Sequence, residues 1–157
     1  MQITLIVIGK TDDKRIEELT AMYAKRLSHY VKFDLEIIPD LKKVKNLSES
    51  QQKEKEGQAL LARLKPTDFL MLLDENGKQY DSVGFSEVIQ KQLNSGIKRL
   101  VFAVGGPYGF SPEVYQKAQG KLALSKMTFS HQMVRPFFTE QLYRAFTILK
   151  NEPYHHR

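Results

Sequence analysis

Five short strand-like runs, at residues 2–8, 33–38, 68–73, 99–104 and 121–128, are separated by segments long enough to hold a crossover helix. No other feature constrains the fold as tightly. Strands joined by helical crossovers lie parallel, and a parallel sheet buries both faces, so the helices must cover it on two sides. Between the first two runs, Ile16, Leu19, Tyr23 and Leu27 recur at helical spacing behind Asp12-Asp13, an acidic start that suits both the cap and the helix dipole. The same reading predicts helices from Ser48 to about Leu64, from near Ser82 to around Gly96, from Ser111-Pro112-Glu113, and from about Met133 to Lys150. The expected fold class is therefore α/β, a mostly parallel sheet with flanking helices.

No linker, fixed-period repeat or low-complexity tract divides the 157 residues, so residues 1–157 read as a single domain. The polar stretch from Lys42 to Gln58 is the best candidate for a mobile segment, and its Lys42–Lys45 cluster reads as a solvated loop. A chain of this length buries roughly 68 to 70% of its unfolded surface, and the 41% hydrophobic content supplies a core. With no Cys, disulfide frameworks, thiolate metal sites and cysteine nucleophiles are excluded, which fits a reducing compartment. Apolar runs such as Phe69-Leu70-Met71-Leu72-Leu73 fall far short of the ~20 residues a membrane helix needs. The opening Met1-Gln2-Ile3-Thr4-Leu5-Ile6-Val7-Ile8 has no basic leader and reads as a first strand, so a cytoplasmic location is expected. The net charge is +6, and residues 121–157 carry six Lys or Arg against Glu140 and Glu152, which points to an anionic partner there.

Ligands of open parallel sheets bind beyond the carboxyl ends of strands, and three segments qualify. Leu73-Asp74-Glu75-Asn76-Gly77-Lys78 is a buried strand breaking into a polar turn. Val104-Gly105-Gly106-Pro107-Tyr108-Gly109 ends a strand in backbone without Cβ atoms, where a ligand can approach the main chain, although a plain turn uses the same residues. Leu124 to Phe129 is the third. The phosphate-cradling G-x-x-x-x-G-K-[ST] run, G-x-G-x-x-G, G-x-S-x-G and H-E-x-x-H are all missing, which argues against kinases, NAD enzymes, serine hydrolases and zinc proteases. His155-His156 is a weak metal pair, and no metal is expected.

In Leu73-Asp74 before Gly77-Lys78, Gly105-Gly106-Pro107, Leu124 through Pro136 leading to Leu142-Tyr143-Arg144-Ala145, and the ending Asn151-Glu152-Pro153-Tyr154-His155-His156-Arg157, the chain resembles the pseudouridine N3-methyltransferases of large-subunit ribosomal RNA, a branch of the SPOUT methyltransferases. The likeness covers the whole chain. It implies a trefoil knot near the C-terminus, a homodimer, S-adenosylmethionine as methyl donor, and ribosomal RNA of the large subunit, within the ribosome, as substrate. It carries cofactor binding onto Leu73, Gly105, Leu124, Ser125, Lys126, Met127, Thr128 and Phe129. Apolar walls plus a glycine loop suit an adenine ring, while residues alone would assign Leu73, Leu124, Met127 and Phe129 to the core.

Methyl transfer from a sulfonium needs alignment and exclusion of water, and N3 of pseudouridine must lose a proton to a base or be stabilised as an anion. The candidates are His131, Arg135, Tyr154, His155 and Arg157. His131 also suits a capping role, and Arg135 a pair with Glu140 on the same helix face. The tail Pro153-Tyr154-His155-His156-Arg157 joins a stacking ring, imidazoles and a guanidinium, groups that suit RNA. The resemblance implies that this tail completes the active site across the dimer interface, with His156 inserted before the terminal cation as a departure from the family pattern. Two rival readings are a non-catalytic RNA-binding protein on the same scaffold and a methyltransferase acting on another RNA.

Overall fold

A computed structural model describes residues 1–42 and 44–156. Five strands alternate with five helices: β1 Gln2–Ile8, α1 Lys14–Leu27, β2 Lys32–Ile38, α2 Glu49–Leu61, β3 Phe69–Gln79, α3 Ser82–Asn94, β4 Arg99–Val104, α4 Pro112–Lys117, β5 Gly120–Ala123 and α5 Val134–Leu149. A short 3-10 turn at Val44–Asn46 precedes α2. Every strand pairing is parallel, in the order β2-β1-β4-β3-β5. Side chains of a strand alternate between faces, and β1 shows it directly. Ile3, Leu5 and Val7 enter one apolar cluster, with Leu27, Ile89, Phe138 and Leu142. Ile6 and Ile8 enter the other, with Leu60 and Val114. The sheet is thus covered by α1, α3 and α5 on one face and by α2 and α4 on the other.

Caps set the helix starts. Asp13 accepts from the Arg15 amide at α1, Ser48 and Gln51 form a reciprocal capping box at α2, and Ser111 accepts from the Val114 amide just before Pro112 in α4. Two expectations need correction. β5 stops at Ala123 and does not run to residue 128, because the chain from Leu124 onward leaves the sheet. β3 extends to Gln79, beyond the expected end at residue 73, with an irregularity: Leu73 and Lys78 both align with Leu122, so residues 74–77 stand out of the pairing. No helix of the described residues is long and apolar enough to cross a membrane.

Candidate active site

The helix after β3 packs with the α1 and α5 face, whereas the helix after β4 packs on the opposite face. The two connections therefore part beyond the carboxyl ends of β3 and β4, and an open crevice results. A cavity of about 630 Å³ fills it. Its walls come from the turn after Leu73, the Gly105–Phe110 turn after β4, Tyr115 of α4, and the chain from Leu124 to Val134. Of the eight residues expected to hold a cofactor, Leu73, Gly105, Leu124, Ser125, Met127, Thr128 and Phe129 line this cavity, and the exposed Lys126 does not. Of the four apolar members, Leu73 and Leu124 are half-buried and pack against the core cluster while also facing the cavity, and Met127 is 78% exposed.

Local hydrogen bonds hold the walls. The residues out of register in β3 are braced because Asp74 accepts from the Asn76 amide at 2.8 Å and from the Tyr115 hydroxyl, while Glu75 accepts from the Thr128 hydroxyl. Burial, and then Asp74, raise the Tyr115 pKa, so its proton stays on. Ser125 Oγ accepts from the Met127 amide at 3.0 Å and Ser130 Oγ from the Met133 amide at 3.1 Å, which turns the loop back toward α5. Gln132 ties this loop to the end of β1, taking the Asp12 amide at 2.9 Å and donating to the Lys10 carbonyl at 3.3 Å. Among the described residues, the cavity lining holds two carboxylates, Asp74 and Glu75, and no Lys or Arg, within a chain of net charge +6.

The candidates for proton handling separate. His131 is exposed and lines the cavity; it does not cap α5, which begins without a side-chain cap. Arg135 is fully buried and does not line the cavity. It donates from Nε to the His131 carbonyl at 3.1 Å and from its two terminal nitrogens to Thr11 Oγ1 at 3.0 Å and the Ile8 carbonyl at 2.9 Å. The expected partner Glu140 is instead bonded to Arg144 at 2.6 Å. Arg135 is a brace joining β1, the cavity loop and α5, and burial lowers its pKa. The tail lies against α5, outside the walls of its own cavity. Tyr154 donates to Glu140 at 2.9 Å and packs on Tyr143 at 4.7 Å, with the Arg144 guanidinium 4.7 Å from its ring and 3.3 Å from His155 Nδ1. Burial raises the Tyr154 pKa, and Tyr23 and Glu140 push in the same direction. Arg157 lies outside the described residues, as does Lys43 of the basic cluster.

Sequence reasoning passed over Tyr115 and Arg144. Tyr115 is 41 positions from Asp74, so no local pattern joins them. Arg144 carried a signal, since it stands four residues after Glu140 at ion-pair spacing. Among the described residues, no group of three or more His, Asp or Glu is placed to hold a metal ion.

Similarity to known proteins follows the same outline. Residues 1–155 match the family described as "Predicted SPOUT methyltransferase". The chain is 69% identical over 157 residues to a protein of Flavobacterium johnsoniae named ribosomal RNA large subunit methyltransferase H, with 100% of both chains covered. A protein of the same name from Parabacteroides distasonis is 60% identical over 156 residues, 99% of each chain. The solved structure of a probable methylase family protein from Haemophilus influenzae superposes with a TM-score of 0.52 over 99% of this chain and 70% of that one; at 12% identity it speaks to the fold alone. Because the family match runs through the cavity turns as well as the sheet, this chain belongs to the SPOUT methyltransferases.

Proposed function

We propose that this methyltransferase uses S-adenosylmethionine, held in the crevice between β3 and β4, to methylate N3 of a pseudouridine in 23S ribosomal RNA of the large subunit. The observation that carries the donor site is the charge of the cavity: among the described residues, its lining has two carboxylates and no Lys or Arg, in a basic protein. A phosphate-rich ligand would be repelled there, whereas a sulfonium is attracted. Leu73, Leu124, Met127 and Phe129 offer apolar walls for an adenine, and the Gly105–Gly106 turn offers main-chain hydrogen bonds. When bound, the donor supplies an electrophilic methyl group. The chain's own residues then align it, exclude water and handle the N3 proton.

His131 stands in the cavity wall, where it meets the incoming base. Tyr154, with its pKa raised, keeps its proton and acts as a donor. Arg144, paired with Glu140 and beside Tyr154 and His155, holds these two side chains together at the end of α5. Because this cluster lies away from the cavity of its own chain, it serves the cavity of a second copy. That reading makes the protein a homodimer, with the tail, Arg157 included, completing the partner's site. Exposed Leu19 and Met22 of α1 and Phe137 of α5 supply apolar surface for the contact. A trefoil knot in the C-terminal third and a cytoplasmic location belong to the same proposal; the match to the SPOUT family supports the knot.

Calorimetric titration with S-adenosylmethionine, with the mass in solution measured in parallel, tests the donor site. Saturable binding followed by transfer of labelled methyl to large subunits or ribosomes is the expected result. Transfer to naked or transfer RNA in their place would move the substrate elsewhere, and binding of RNA without any methyl transfer would leave an RNA-binding protein.

A further inference from the structure

The Gly105–Gly106 turn has two sides. One faces the 630 Å³ cavity, and the other faces α2, across a gap of about 10 Å³ lined by Ile8, Glu56, Leu60, Val104 and Phe110. Such a gap holds about one water at most, so α2 and the turn are in direct contact. The contact is made by a carboxylate. A methyl group built on Gly106 would have Glu56 atoms as its three nearest neighbours, with the carboxyl carbon at 2.8 Å, so a side chain there would push the carboxyl group of Glu56 aside.

Glu56 is unusual in its own right. It is 6% exposed, and its Oε1 is the buried side-chain oxygen that has no hydrogen-bond partner among the described residues. A buried carboxylate oxygen without a protein partner is costly and calls for an explanation. Burial raises its pKa, Asp40 adds in the same direction and Gln52 opposes them. A Leu at this position would pack against Leu60, Val104 and Phe110 without that cost. A purely structural account of Glu56 therefore fails to explain why the side chain is acidic.

We propose that Glu56 is a positioning residue for the methyl donor, backing the Gly105–Gly106 turn and setting where its main chain meets the ligand. The inference rests on the donor site proposed above. The carboxyl group of Glu56 abuts the turn at Gly106 without bonding to it, so moving that group would shift the wall that a ligand on the other side meets.

The test is a double-mutant cycle on the full-length protein, reading the dissociation constant for S-adenosylmethionine by calorimetry and the ligand-free melting temperature. Glu56→Ala is expected to weaken binding by about tenfold or more, because a small displacement of a positioning group is expensive. Glu56→Gln, which has the same shape, stays within about threefold of the unmodified protein. Gly106→Ala weakens binding, and Glu56→Ala in the same chain restores part of the loss, since the two residues touch. The proposal is overturned by independent effects that simply multiply, or by a Glu56→Ala protein that melts lower yet binds with unchanged affinity. If Glu56→Ala fails to fold, the cycle of Glu56→Asp with Gly106→Ala asks the same question, because the shorter side chain makes room for the added methyl group, and independence there also overturns the proposal. An unmodified protein that does not bind the donor instead removes the donor site itself.

Discussion

Arg135 shows how a residue's neighbours in space outweigh its neighbours in sequence. Its side chain is at hydrogen-bond distance from three oxygens contributed by β1, the segment after it and the cavity loop. An arginine among acidic and aromatic residues near an active loop reads as a contact for RNA, yet this one is fully enclosed. Arg135→Met is expected to cost about 3 kcal/mol, because it leaves two buried oxygens and one part-buried oxygen without their donor; urea unfolding of the ligand-free protein measures it. Gly105 gives the opposite case, a residue whose role is legible in sequence because nothing larger fits. A methyl group on Gly105 would meet the Gly109 carbonyl carbon at 3.1 Å. Gly105→Arg should therefore abolish detectable donor binding in titration while light scattering still shows a folded species of unchanged mass; normal affinity would place the donor elsewhere.

The helices and three of the strands lie within a few residues of where periodicity and caps place them, since those signals are local. Asp13 at the start of α1 makes one such signal testable by pH. Its carboxylate is held to about 2 from an ordinary 3.8, first by the Arg15 side chain and then by the Arg15 amide. A lowered carboxyl pKa stabilises the fold fully above the ordinary value, and the benefit is lost as the pH falls from 3.8 toward 2. Faster amide exchange in the first turn of α1 across that window is the expected result, and Asp13→Asn, which cannot titrate, should flatten the dependence. β5 marks where local reading fails. Residues 121–128 form a continuous run with strand character, yet pairing ends at Ala123 and the remainder becomes a cavity wall. Apolar content alone cannot tell a side chain buried under a helix from one kept for a ligand.

For the molecule as a whole, the proposed dimer brings a tail lying against α5 to the cavity of a second copy, and the tail is where that proposal is tested. Removing Tyr154–Arg157 should leave donor affinity within about twofold, because no described residue of that segment lines the cavity, and reduce methyl transfer by at least about a hundredfold. Mixing that truncated protein with Gly105→Arg chains should recover activity in mixed dimers, one chain giving the cavity and the other the tail. Failure of the mixture to recover would confine each site to a single chain. The α/β class, the helix caps and the glycine turn were determined by sequence, because propensity, alternation and steric freedom act over a few residues. Of the eight residues the resemblance named, seven line the cavity. Only the tertiary structure decided that β3 and β4 send their helices to opposite faces, that Arg135 is a brace and that Glu56 stands behind the Gly105–Gly106 turn. Each depends on contacts between segments far apart in the chain, where burial and the need to satisfy polar groups override what any short stretch prefers.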